Sequence, residues 1–143
     1  MESTSFQLTV EPLPASFPGF PPPRAGALVT FEGLVRDHNE GRLVVELEYS
    51  AYLQLAQSEG ERILREAMEQ FGLVRADCVH RLGLLAVGDC AVKVWAVAEH
   101  RREAFAGCAY IIDQIKHRVP IWKNERYADG DRRWVACGEA SHC

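Results

Sequence analysis

The sequence predicts an α+β fold: a single domain with a mixed or antiparallel sheet and two main helices. Three observations carry this expectation. The chain has 143 residues, the length of one domain. Two segments, 52–71 and 102–118, repeat apolar residues at helical spacing. Shorter segments around them alternate or are β-branched, and glycine, proline and polar turns separate them.

Residues 5–10 (Ser-Phe-Gln-Leu-Thr-Val) alternate as a short strand. Six prolines follow, at 12, 14, 18, 21, 22 and 23, so residues 11–25 read as an irregular loop, because proline lacks the amide that ladders and helices use. Residues 26–35 are β-branched and aromatic and predict a strand ending at the polar turn 36–41. Residues 43–49 alternate again, and the two strands are expected to form a hairpin across that turn. In the first helix, 52–71, Leu53, Ala56, Gly60, Ile63, Leu64, Ala67, Met68 and Phe71 share a face, and Gly72 stands where a C-cap glycine belongs. Strands near 77–81 and 91–99 come next. In the second of these Val92, Val94, Ala96 and Ala98 face one way, Lys93 and Trp95 the other. The second helix, 102–118, is expected to turn Phe105, Cys108, Ala109, Ile112 and Ile115 inward, and Pro120 stops it. Two short strands, 121–127 and 132–135, flank Asp129-Gly130, and 136–143 form a tail.

Composition narrows the function. Sixteen basic against 20 acidic side chains give a formal charge of −4. A chain coating nucleic acid or an anionic membrane is usually basic, so neither is expected as a partner. No apolar run approaches the ~20 residues that span a bilayer. The first ten residues lack the basic and apolar regions of a signal peptide, so a cytoplasmic location is expected. The five cysteines (78, 90, 108, 137 and 143) form no Cys-x-x-Cys pair and read as reduced structural thiols. No metal site is expected, and Cys137, His142 and Cys143 read as a frayed terminus.

Only three of the 16 basic residues are lysines: Lys93, Lys116 and Lys123. Unlike arginine, a lysine amine can lose its proton and act as base or nucleophile. At ~100° per residue Lys116 lies ~20° round from Phe105, on the apolar stripe of its helix. It is either a snorkelling lysine or a partly desolvated amine of lowered pKa. Lys123, in Ile121-Trp122-Lys123-Asn124-Glu125, fits an ordinary salt-bridged strand or a second functional cation. His100-Arg101-Arg102 opens the second helix, where free amides favour an anion. Arg36 stands in the polar turn Arg36-Asp37-His38-Asn39. His80 reads as a core histidine, and His117, about 120° round from Phe105, as exposed.

Taken in order, these blocks resemble the MoaE family, the large catalytic subunits of molybdopterin synthase. The resemblance is carried by Gly26 to Asn39, by Leu47-Glu-Tyr49-Ser-Ala-Tyr52, by His80-Arg81-Leu-Gly83 and Val87-Gly88, and by His100-Arg101-Arg-Glu-Ala-Phe105. Its most specific part is Lys116-His-Arg-Val-Pro120-Ile-Trp122-Lys123-Asn-Glu125, and it covers about 26–135. It implies an α/β hammerhead-like form of the fold and conversion of cyclic pyranopterin monophosphate to molybdopterin. The two sulfurs would come from the C-terminal Gly-Gly thiocarboxylate of a small ubiquitin-like subunit, on a homodimer within a heterotetramer, with no cofactor. It implies that Lys116 and Lys123 are catalytic, and that Leu34, Val35, Arg36, His100, Arg101, Lys116, Lys123, Asn124 and Glu125 bind substrate. Where the family carries a glutamate after Leu-Glu-Tyr this chain has Ser50, which could replace it only as an N-cap.

Overall fold

The computed structural model describes residues 3–136. Among them the chain runs β1 (Thr4–Thr9), β2 (Ala27–Leu34), β3 (His38–Asn39), β4 (Arg42–Ala51), α1 (Leu53–Phe71), β5 (Arg75–Arg81), β6 (Gly83–Ala86), β7 (Cys90–Ala98), α2 (Arg101–Arg118), β8 (Ile121–Tyr127) and β9 (Arg132–Ala136). The two helices, the mixed sheet and the α+β class are as the sequence predicts. Gly72 caps α1 in the left-handed conformation at φ 62°, which glycine adopts without steric cost.

One sheet has the order β1-β5-β7-β2, with β1 and β5 parallel and the other pairs antiparallel. Strand β7 is its centre and is buried along almost its whole length, so it needs a neighbour on each edge and cover on both faces. Helix α1 lies over β1 and β5, and α2 over β7 and β2. Ile63, Leu64, Ala104, Ile111 and Ile115 from the helices meet Val92, Val94, Ala96 and Ala98 in the core. The other face of β7 is covered by the proline-rich segment. The Phe17 ring meets Trp95 edge-on at 6.4 Å, Arg75 stacks over Phe17, and the Pro14 carbonyl accepts from Lys93 Nζ at 2.7 Å. Lys93 is thus structural: it is buried, and the exposed Glu32 lies 3.6 Å from its amine.

The second sheet is β3-β4-β8-β9, with β6 also pairing β4. It corrects the expected hairpin. β2 pairs with β7 from Ala27↔Ala98 to Leu34↔Cys90, and β4 pairs with β8 and β6, so residues 26–35 and 43–49 stand in different sheets. The demand of β7 for a second edge partner outweighs the short loop. The hairpin that forms is smaller: β3 folds onto the start of β4 across Glu40-Gly41, both at positive φ, as a tight two-residue turn requires. Strands β3 and β6 were not legible from alternation.

Helix α2 presents a different face from the one its large residues indicate. Ala104, Gly107, Cys108, Ile111 and Ile115 are buried, whereas Phe105 is 63% exposed and Ala109 is exposed. Small residues let the helix sit close to the sheet, and this close approach outweighs burial of one aromatic ring. In α1, Leu53 is likewise exposed, and Met68 and Phe71 only flank the core. Ser50 does not cap α1: the N-cap is Tyr52, with no side-chain cap, and Ser50 lies exposed on β4 opposite Trp122.

At Gly60 of α1, an added Cβ would stand 2.5 Å from atoms of the Phe6 ring, itself a buried core residue. Alanine is the better helix former by about 1 kcal/mol. Overpacking a rigid ring costs about 1–3 kcal/mol. Gly60→Ala is therefore expected to lower stability by up to about 2 kcal/mol in urea unfolding, against its helix propensity.

Candidate active site

The two sheets meet at a cleft of about 450 Å³, whose wall takes Arg36 from the end of β2, Leu47 and Tyr49 from β4, Val92 from β7, Lys116 from α2, and Lys123 and Glu125 from β8. Strand alternation sets which β8 side chains reach it. Lys123 pairs with Tyr49 and Glu125 with Leu47, so these four share the inner face. Asn124 takes the opposite face with Glu48 and Trp134, its Oδ1 buried without a hydrogen-bond partner among the described residues. The register shift at Gly33/Leu34 turns the chain out of β2 and into the rim of the cleft. There Leu34 is exposed, and Val35 is buried and pinned by hydrogen bonds from its amide to the Asp89 carbonyl and from the Gly88 amide to its own. Arg36 is exposed at the mouth.

The charges are deeply placed. Lys123 is 5% exposed and Glu125 2%, with Nζ 3.8 Å from Oε2. The other oxygen of Glu125 accepts from Asn39 Nδ2 at 2.7 Å and from the Tyr127 hydroxyl at 3.1 Å. Tyr127 is held in turn by the Arg42 guanidinium, 3.8 Å above its ring, and Arg42 is anchored by Asp129 and Asp131. Burial pushes the Lys123 amine down; Glu125 pulls it up and Arg36 lowers it again. Lys116 is half-buried in the last turn of α2 and has no such carboxylate. Desolvation, then the charge of Lys123, bring its pKa from the ordinary 10.5 to about 8.

Lys116, Lys123, Glu125, Arg36, Val35 and Leu34 thus converge on one cleft. His100 and Arg101 do not. They are exposed at the N-terminal end of α2, and fifteen residues at 1.5 Å each put Arg101 ~22 Å along the helix from Lys116. The angular reading of Lys116 also needs correction, since its reference, Phe105, faces solvent. Lys116 flanks the buried stripe and reaches the cleft sideways between α2 and β8. His80 is a core histidine, its neutral form favoured by burial, which takes its pKa down to about 3; His117 is exposed. Sequence reasoning gave no role to Asn39, Tyr49 and Tyr127. The parity of Tyr49 with Leu47, and of Tyr127 with Glu125, was the available signal.

The thiols of Cys78 and Cys108 are buried and pushed up, that of Cys108 to about 11, which makes them poor nucleophiles. Cys137, His142 and Cys143 lie outside the described residues. Among the described residues no three His, Cys, Asp or Glu side chains cluster as a metal site, and no helix is long and apolar enough to cross a membrane.

A sequence model described as "MoaE protein" matches residues 8–118. The chain is 50% identical over 107 residues to the molybdopterin synthase catalytic subunit of Oryza sativa subsp. indica, covering 75% of this chain and 55% of that one; the match thus spans about half the length of the rice protein. It is 48% identical over 106 residues to the molybdopterin synthase catalytic subunit of Pyrococcus abyssi, covering 74% of this chain and 72% of that one. The fold superposes on the crystal structure of molybdopterin synthase from Staphylococcus aureus with a TM-score of 0.82 at 32% identity, covering 94% of this chain and 98% of that chain.

The lowered pKa of Lys116 is also a statement about stability. Below pH 8 the folded chain holds a charged amine in a poorly solvated place. Between about 8 and 10.5 the folded chain gives up this proton while the unfolded chain keeps it, so stability from this group rises with pH. Lys116→Met is expected to raise Tm by about 2–6 °C at pH 7. That gain should shrink as the pH passes above 8, which thermal unfolding across pH 6.5–9.5 checks.

Proposed function

The chain belongs to the MoaE family, and from that membership we propose that it is the catalytic subunit of a molybdopterin synthase, acting in molybdenum cofactor biosynthesis. The substrate is a cyclic pyranopterin monophosphate, and the two sulfurs arrive on the C-terminal Gly-Gly thiocarboxylate of a small ubiquitin-like partner. The observation that carries this reading is the convergence of Lys116 and Lys123, two of only three lysines, on one cleft of an acidic chain.

Both reactants are anions, so the cleft must supply cations where the whole chain repels them. Arg36 at the mouth offers a forked donor suited to phosphate or carboxylate oxygens. Lys116, at about 8, carries a neutral fraction near physiological pH and serves as the proton acceptor. Lys123, beside Glu125, stays charged and stabilises the anion that develops as sulfur is transferred. Glu125 positions that amine, with Asn39 and Tyr127 fixing the carboxylate. Because sulfur comes in on the partner, the buried thiols of this chain take no part.

His100 and Arg101 belong to this chemistry only if a second copy brings them to the cleft. The ~22 Å along α2 between Arg101 and Lys116 supports a homodimer in which each copy supplies these residues to its neighbour. One small subunit at each end then makes a heterotetramer.

Reconstitution with the thiocarboxylated partner and the pyranopterin tests the reading directly: dithiolene product is expected, and its absence with a competent partner rejects it. The wild-type rate is expected to rise with pH through about 8 as Lys116 deprotonates. Arginine keeps the charge but cannot deprotonate. Lys116→Arg should lose about 100-fold or more in kcat, and Lys123→Arg should retain more activity. A pure anion-binding module would tolerate both.

Arg36→Ala and Arg101→Ala should each weaken pyranopterin binding by about 1.5–3 kcal/mol, measured by titration calorimetry. If Arg101 acts across the dimer, mixing Arg101→Ala and Lys116→Arg chains, at a pyranopterin concentration too low to fill the weakened sites, should restore about one quarter of the wild-type sites, since a mixed dimer holds one intact site of two. No recovery after verified chain exchange would place Arg101 outside the neighbour's cleft.

A further inference from the structure

Tyr49 lies midway along β4, opposite Lys123, and lines the cleft with Lys116, Arg36 and Glu125. Its residue is 7% exposed, and its ring is fixed from behind by His80 of β5, edge-on at 4.9 Å and 81°. His80 is itself 1% exposed, with Nδ1 2.8 Å from the Arg81 carbonyl. A carbonyl only accepts, so Nδ1 carries the hydrogen. The tyrosine ring therefore packs edge-on against a neutral, buried neighbour.

That orientation puts the hydroxyl among the charges of the cleft wall, where the groups acting on it are Glu125 and Arg36. Burial and Glu125 push the phenol up to about 12, which keeps it a donor throughout the physiological range. Glu125 is not its acceptor: Oε1 already takes Asn39 and Tyr127, and Oε2 faces Lys123. The hydroxyl is not sealed in the core but opens onto the cleft, and with no protein acceptor among the described residues it is a donor held ready for a ligand.

We propose that the Tyr49 hydroxyl contacts substrate, donating a hydrogen bond to an anionic oxygen that Arg36 also binds. This deepens the function proposed above and rests on it. The oxygen belongs either to the cyclic phosphate of the pyranopterin or to the C-terminal carboxyl group of the partner's tail; the two share one chemistry.

Tyr49→Phe removes the hydroxyl and keeps the ring against His80. Titration calorimetry at pH 7 compares the wild type and this variant with two probes: the cyclic pyranopterin monophosphate, and the partner ending in an ordinary Gly-Gly carboxylate. About tenfold weaker binding of one probe is expected, with the other unchanged and Tm unaltered, as for loss of one hydrogen bond to a charged group. The probe that weakens identifies the oxygen. Equal affinities in both proteins overturn the proposal, and so does a parallel loss of both affinities with a lowered Tm, which would make Tyr49 a packing residue. A wild type that binds both probes but forms no dithiolene rejects the functional reading while the affinities still decide the Tyr49 contact. A wild type that binds neither rejects both.

Discussion

Glu125 is the one carboxylate on the inner face of β8, and the arrangement of the cleft depends on it. A buried ammonium is costly unless a counter-charge is near, and a buried carboxylate is costly unless its oxygens are occupied. Lys123 and Glu125 answer each other at 3.8 Å, and the remaining oxygen is filled by Asn39 from β3 and Tyr127 from the end of β8. This explains why the two-residue strand β3 exists at all. Its turn across Glu40-Gly41 delivers Asn39, buried, to a carboxylate 86 positions away in sequence. Arg42, stacked on Tyr127 and tied to Asp129 and Asp131, extends the same network to the β8–β9 turn.

Lys116 stands outside that network, and its chemistry differs for that reason. Lys123 has a carboxylate to hold its charge, whereas Lys116 is acted on by burial and by the charge of Lys123. Its site at the C-terminal end of α2, where the helix dipole favours a cation, only moderates this. Both amines are thus pushed down by burial, but only that of Lys123 has a carboxylate beside it to oppose the shift. In the function proposed above, that difference is what would let a single cleft both stabilise an anion and accept a proton.

The close seating of α2 on the first sheet makes the convergence possible. Ala104 and Cys108 let the helix approach β7 and β2, and Gly107 lets it close on Leu73, which places Lys116 at the cleft wall with Lys123 of β8. The same seating leaves Phe105 in solvent and points His100 and Arg101 away from this cleft. The proline-rich segment has a comparable structural part on the far face, where Phe17 and Pro14 cover Trp95 and Lys93 of the central strand.

Much of this was legible in the sequence. Helix lengths, the Gly72 cap, most strands, the two faces of β7 and the choice of Lys116 and Lys123 as candidate site residues follow from local periodicity, turn chemistry and residue type. Such signals act over a few residues, and the chain carries them whatever its neighbours do. What needed the tertiary structure is what depends on partners distant in sequence. Pairing of β2 with β7 rather than β4 was settled by the unsatisfied edge of a buried strand. The inward face of α2 was settled by how closely small residues can pack, which no hydrophobicity pattern records. The orientation of Asn124 away from the cleft, the joining of Asn39 to Glu125 and the placing of Tyr49 against His80 are matters of register between strands. The sequence by itself determined which groups could do chemistry; desolvation and charge pairing, which arise only when distant segments close around them, decided which state each group holds.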